Sequence, residues 1–250
     1  MNLAERISTL RRVNGLSARQ LAALVDVAPT TVTRIEAGAV SPSFDLAQEI
    51  LVVLGDPIGF TGVGDTGAIA TARLAVDPTL PIEVTPSVEA WRHRWARIGL
   101  VDGRGRVTTG READLFVRAG RAARLTRRPG AVDFLAGPTA AELANVLESA
   151  DVDYAVTGAA GANLYRSSAG DIWPVLYVDD LDRAAAVTGL ERKGPGSFGL
   201  RITLIPFDGV CEVGRTVIDG VAVVARDQVV IDAYGGIDRM TEQADILMGR

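Results

Sequence analysis

Residues 15–38, GLSARQLAALVDVAPTTVTRIEAG, hold two helix starts and one clear helix stop in a single short run. Leu16-Ser17-Ala18-Arg19-Gln20-Leu21 is a full start signal, with Ser17 as cap, Gln20 reaching back from the third position and Leu16 stapled to Leu21. After Val25-Asp26-Val27 the chain turns, and Pro29 suits the first position of a new helix because its missing N–H costs nothing there. That helix runs to about Ala37 and closes at Gly38. On it Val32 and Ile35 share one face, and a step of 100° per residue leaves Thr30, Thr33 and Arg34 on the other.

Working outward, Leu3, Ile7 and Leu10 recur at helical spacing until Asn14-Gly15, and Ser41-Pro42-Ser43 opens another helix through Leu46, Ile50 and Leu54. Five short helices are expected in residues 1–55. The order Gly15-Leu16-Ser17, Gln20-Leu21-Ala22, Val32 to Gly38 and Ser41-Pro42-Ser43 resembles the Xre/lambda-repressor-type helix-turn-helix family. In that family the third helix enters the DNA major groove and the amino end of the second meets phosphate. The resemblance implies phosphate or base contacts from Ser17, Arg19, Gln20, Pro29, Thr30, Thr31, Thr33 and Arg34, with Arg34 able to bond a guanine edge. It also implies that Arg11 and Glu36 bridge helices one and three as a structural pair.

With 48% hydrophobic and 23% charged residues, the chain of 250 residues is a folded protein of two or three units. The first residues mix both charge signs without the apolar core of a signal peptide, and no apolar run approaches bilayer length. A cytoplasmic protein with no membrane partner is expected. One cysteine, Cys211, and one histidine, His93, exclude a disulfide and a zinc cluster, so neither metal nor cofactor is expected.

The net charge of −5 hides an uneven distribution. Residues 1–55 are neutral, residues 91–128 carry eleven arginines against three acids, and the remainder sums to −13. DNA phosphate, RNA or the chain's own acidic part would neutralise the basic stretch. Gly62-Val63-Gly64-Asp65-Thr66-Gly67 matches a dinucleotide-binding fingerprint, but no βαβ unit surrounds it, so residues 56–86 read as a linker with a short helix.

Residues 87–128 read as a basic, winged-helix-like middle. A helix from Ser87 carries Trp91, Trp95 and Ile98, a hairpin turns at Asp102-Gly103-Arg104-Gly105, and a further helical pattern spans Glu112 to Arg128. Arg92, Arg94, Arg97, Arg104 and Arg106 are its candidate DNA contacts.

Residues 129–250 read as an α/β domain on a mixed sheet, which makes the whole chain multidomain α+β. Helices are expected from Thr139 to Ser149, Ala159 to Tyr165, Asp227 to Tyr234 and Thr241 to Met248. Strands are expected at Tyr154 to Val156, Val175 to Val178 and Leu200 to Ile205, with a hairpin across Asp219-Gly220.

The glycine turn at Thr157-Gly158 resembles that of nucleotidyltransferases, whose chemistry needs two carboxylates facing one way on a strand. Asp171-Ile172-Trp173 lacks the second acid, Asp179-Asp180 are adjacent, and Asp151-Val152-Asp153 lies upstream. Leu143, Leu147, Tyr154 to Ala160, Val221 to Val224, Gln228, Asp232, Gly235-Gly236 and Gln243-Ala244 resemble, in order and spacing, the AbiEi-type antitoxin domain of type IV toxin-antitoxin systems.

That resemblance implies a catalytically silent, nucleotidyltransferase-like domain in an autoregulating repressor. Its expected partners are operator DNA, a nucleotidyltransferase-like toxin and a second copy of the chain. A ligand-sensing regulator with an anion pocket at Gly158, and an active nucleotidyltransferase, are the alternatives.

Overall fold

The computed structural model describes residues 2–56, 64–135, 137–166, 173–194, 201–236 and 239–250. Two compact units emerge: unit 1 is Met1–Pro78 with Glu83–Ala123, and unit 2 is Thr79–Ile82 with Arg124–Arg250. Among the described residues no helix is long and apolar enough to cross a membrane.

Unit 1 opens with helices α1 (Leu3–Val13), α2 (Ala18–Leu24), α3 (Pro29–Glu36) and α4 (Phe44–Val53). The first 55 residues thus hold four helices among those described, not five, because the sequence supplies four starts. Asn2 and Ser17 form capping boxes with Glu5 and Gln20, Pro29 heads α3, and Ser43 accepts from the Leu46 amide. Ile7, Leu21, Val32, Ile35, Ile50 and Leu51 make the shared core. The Arg11 guanidinium donates through Nε and Nη2 to both oxygens of Glu36, at 2.6 and 2.9 Å, and through Nη1 to the Leu16 carbonyl. One side chain so ties α1 and α3 to the start of α2.

The rest of unit 1 is α5 (Gly67–Val76), α6 (Pro86–Arg97), a hairpin with one antiparallel bridge, Val101 to Val107, and α7 (Glu112–Ala122). Within residues 56–86, expected as a linker with a short helix, the helix is α5, a buried element of unit 1. All residues from Ala68 to Ala75 are buried, since α5 is the helix on which α6 and α7 pack, and its alanines allow close approach. Gly62 and Val63 of the glycine fingerprint lie outside the described residues. Gly64 and Gly67 serve packing: a Cβ on the first would lie 2.9 Å from the Ala123 Cα, and on the second 2.1 Å from the Ser87 Oγ.

Asp65 fastens the entry to α5, accepting from the Gly67 amide at 3.0 Å, the Ser87 hydroxyl at 2.7 Å and the Trp91 indole at 2.9 Å. Ser87 is therefore spent on Asp65, and Thr85 caps α6 instead. Trp91 and Trp95 are buried with ring centroids 5.2 Å apart. The helix expected to reach Arg128 stops at Ala122. Beyond it Leu125–Arg127 is a single 3₁₀ turn, with the Leu125 amide taken by the Gly235 carbonyl.

Unit 2 is built on a six-stranded mixed sheet in the order β1-β4-β3-β2-β6-β5. The strands are β1 (Val132–Leu135), β2 (Tyr154–Thr157), β3 (Val175–Val178), β4 (Arg201–Pro206), β5 (Thr216–Ile218) and β6 (Val221–Val223). β3 runs parallel to β4 and β2 to β6, while the β1–β4, β2–β3 and β5–β6 pairs are antiparallel. Leu200, the expected start of the third strand, lies outside the described residues, as do Asp171 and Ile172.

The helices are α8 (Ala140–Ser149), α9 (Gly158–Tyr165), α10 (Leu181–Thr188), α11 (Arg226–Tyr234) and α12 (Met240–Met248). Strand alternation divides the core: Tyr154, Val156, Leu176, Val178, Ile202 and Leu204 meet α8 and α10, while Thr157 and Tyr177 face α11. β1 and α10 are additions to the elements expected from the sequence.

Candidate nucleic-acid interface

The solvent face of α3 is set by what its other face buries. Val32 and Ile35 are 0% and 1% exposed, and Thr30, Thr33 and Arg34 stand in solvent. Arg34 has no ion-pair partner among the described residues, so its fork of donors is open. The Thr33 hydroxyl is engaged within the helix, donating to the Pro29 and Thr30 carbonyls at 3.1 and 3.0 Å. Pro29 is exposed and Thr31 half-buried at the same helix end.

At the amino end of α2, Ser17 Oγ accepts from the Gln20 amide at 3.1 Å while Gln20 Oε1 accepts from the Ser17 amide at 2.9 Å. This reciprocal cap leaves the serine O–H and the glutamine NH₂ as donors, and Arg19 is exposed beside them. The α2 and α3 residues named from the sequence are therefore brought together on one domain.

The five arginines of the basic middle divide. Arg94 donates to Glu49 at 2.8 Å and lies over the Trp91 ring at 5.1 Å. Arg97 pairs with Asp26 at 3.0 Å and donates to the Ala23 carbonyl. Both side chains thus tie α6 to α4 and to the α2–α3 turn. Arg92 pairs with Glu89 at 2.9 Å and crosses beneath Gly105.

Arg104 and Arg106 are exposed at the hairpin tip, where Asp102 Oδ1 accepts from both of their amides. Those two bonds and the nearby guanidiniums hold the Asp102 carboxyl below the usual carboxylate range, the Arg106 amide contributing most. His93 is exposed.

In unit 2, β2 and β3 pair antiparallel from Tyr154 opposite Val178 to Thr157 opposite Val175. The Thr157-Gly158 turn and the acids Asp153 and Asp179 therefore lie at opposite ends of the pair. Asp153 pairs with Arg215 at 2.8 Å, and Asp180 caps α10 by accepting from the Arg183 amide.

Beside the turn stands the chain's own carboxylate. Buried Asp232 accepts from the Thr157 hydroxyl at 2.7 Å, the Gln228 amide nitrogen at 2.9 Å, the Tyr177 hydroxyl at 3.1 Å, and buried Arg128. Burial pushes the Asp232 carboxyl up, and Arg128 with the three other donors draws it back. Arg128, counted in the sequence as part of the basic stretch, is a core residue whose signal is the paired acid a hundred positions on.

Arg118 and Arg121, which the sequence places in the helical arginine run after Glu112, gather on α7 with Arg111 at its amino end. Arg111, Arg118 and Arg121 follow an i, i+7, i+10 spacing that places them on one side of the helix, a periodicity visible in the sequence.

Residues 7–58 match the family model described as helix-turn-helix. The comparisons with curated proteins and with solved structures returned no match. The chain therefore carries an amino-terminal helix-turn-helix domain, of the kind that binds DNA in transcription regulators.

Proposed function

We propose that this chain is a sequence-specific DNA-binding repressor that acts as the autoregulating antitoxin of a type IV toxin-antitoxin pair. The observation that carries the DNA-reading part is the α3 face, where Arg34, unpaired among the described residues, and two threonines project from a helix anchored by Val32 and Ile35. Ser17, Arg19 and Gln20 take phosphate beside it, and Arg104 and Arg106 take phosphate at the hairpin tip. Arg94 and Arg97 act by holding α6 against the helix-turn-helix. A second copy of the chain suits an operator with two half-sites.

The antitoxin part rests on the resemblance spread from Leu143 to Ala244. A non-enzymatic unit 2 is supported by the distance between the glycine turn and Asp179, since phosphate and magnesium sites must adjoin for nucleotidyl transfer. Asp232 at that turn argues against an anion pocket there.

The test is fluorescence anisotropy with DNA from upstream of the chain's own gene. Arg34→Ala is expected to cost about 1–3 kcal/mol on the operator and little on unrelated DNA. Equal losses on both would remove the base-reading role of α3. Co-purification with the product of a neighbouring transferase-like gene checks the toxin partner, and its absence would leave a plain repressor.

A further inference from the structure

We propose that the cleft between the α1–α2 turn and α7 binds a phosphate group through Arg111, Arg118 and Arg121. The cleft has a volume of about 350 Å³ and lies wholly in unit 1, with Asn14, Gly15 and Gln20 along one side and the three arginines along the other. That size is in the range of small-ligand sites, about 300–1,000 Å³.

Its lining is rich in guanidinium and poor in carboxylate. Asp114 is the one carboxylate in the lining, and it lies 3.0 Å from Arg111 Nε. Arg121 donates to the Val13 carbonyl and the Asn14 side-chain oxygen. Arg118 is half-buried, and its Nε is a buried donor without a hydrogen-bond partner among the described residues. Burial lowers its pKa, with the Arg121 and Arg111 charges adding to the effect against Asp114.

Arg111 and Arg118 share the one lining carboxylate while the Arg118 Nε is left unmatched, an arrangement that suits a multidentate anion. Phosphate oxygens accept from several guanidiniums at once, and the NH₂ of Gln20 stands free of the α2 cap to join them. The same chemistry comes from two sources, a backbone phosphate of DNA lying along the amino end of α2, or the terminal phosphates of a free nucleotide. The DNA source rests on the proposed function, and the free-nucleotide source does not.

The test uses the full chain in two arms. In the first, thermal unfolding of the native protein is followed in pyrophosphate, in ATP and in sodium chloride of matched ionic strength. The expected result is a higher Tm in pyrophosphate than in matched chloride, lost in Arg118→Gln and partly kept in Arg118→Lys. In the second, DNA affinity is measured against salt, and Arg118→Gln is expected to flatten the log–log slope by about 0.9 for each phosphate no longer neutralised.

A flattened slope with pyrophosphate competing against DNA assigns the site to the DNA backbone. A pyrophosphate or ATP shift with an unchanged slope assigns it to a free ligand. No gain of the native chain over matched chloride, together with an unchanged slope in Arg118→Gln, overturns the proposal. Should the chain bind no DNA at all, the proposed function fails while the first arm still decides the phosphate site. Arg118→Gln itself is expected to unfold in phosphate-free buffer at a Tm no lower than the parent, because it removes a charge beside two like charges. A fall in Tm matched by retained pyrophosphate stabilisation would count against a phosphate role for Arg118.

Discussion

At the scale of single residues, two buried groups decide how unit 2 responds to change. Asp232 and Arg128 are 0% and 1% exposed at their side chains, so each leaves an uncompensated buried partner when the other is removed. Asp232→Asn is expected to destabilise unit 2 by about 3–5 kcal/mol in urea unfolding. Combining it with Arg128→Met is expected to cost clearly less than the two single changes added together. Strict additivity would show that the pair is not coupled.

Cys211 is fully buried, and its Sγ donates to Glu212 Oε2 at 3.2 Å. Burial pushes the thiol far up, with the Asp208 and Glu212 charges adding to it. Below about pH 8.5 the folded and unfolded chains both hold this proton and stability is indifferent to it. Above that, the unfolded chain loses the proton and the folded chain keeps it, so stability falls by about 1.4 kcal/mol per pH unit, until tyrosines join near pH 10. Denaturant midpoints measured from pH 8 to 10 check this, and Cys211→Ala is expected to abolish the slope. In the native chain the thiol is expected to resist aromatic disulfide reagents until unit 2 unfolds.

At the scale of elements, legibility follows how local the determining interaction is. The helices of the first domain announce themselves through Ser17, Gln20, Pro29 and Gly38, all of which act within a turn of where they stand. The β5–β6 hairpin is as local, since Asp219 and Gly220 both take positive φ. β1 escapes the sequence because it is four residues long and held by β4, some seventy positions away. α10 escapes it because Asp179-Asp180 are weighed as a carboxylate pair rather than as a helix start, although Asp180 is the cap and Gly189 the left-handed stop.

α5 is expected as a short helix, and what the sequence hides is its burial. Its run of alanines resembles a linker helix until its packing against α6 and α7 is seen. Trp95→Ala is expected to cost about 3–5 kcal/mol in chemical denaturation, as a large side chain lost from a core. Gly64→Ala is expected to destabilise too, since the close approach is to the Ala123 backbone and neither side can yield cheaply. A neutral Gly64→Ala would return residues 64–67 to the status of a loop.

At the scale of the whole molecule, the basic stretch of the sequence is divided by the fold. Counted over the two units, unit 1 carries +1 and unit 2 carries −6, because Arg124, Arg127 and Arg128 belong to the second. DNA affinity is therefore expected to respond to unit 1 alone. Replacing Arg104 and Arg106 with alanine is expected to weaken binding to operator and unrelated DNA alike, and to flatten the salt slope by about 0.9 for each phosphate given up. Removing the charges of Asp179 and Glu148 is expected to leave that slope unchanged. Titrations from low to moderate salt separate the two outcomes.

The seating of α6 on the helix-turn-helix has one more result. Arg94–Glu49 and Arg97–Asp26 are partly exposed pairs, each contributing at most about 1 kcal/mol, so their value is in direction more than in strength. Together with the packing of α2 on α6 they fix the span from Arg34 to the Arg104–Arg106 tip. On the proposed function, a protein with such a fixed span is expected to read its operator in one helical phase. Inserting a single base pair between the bases under α3 and the flanking backbone would rotate that backbone by about a tenth of a turn and carry it out of the hairpin's reach.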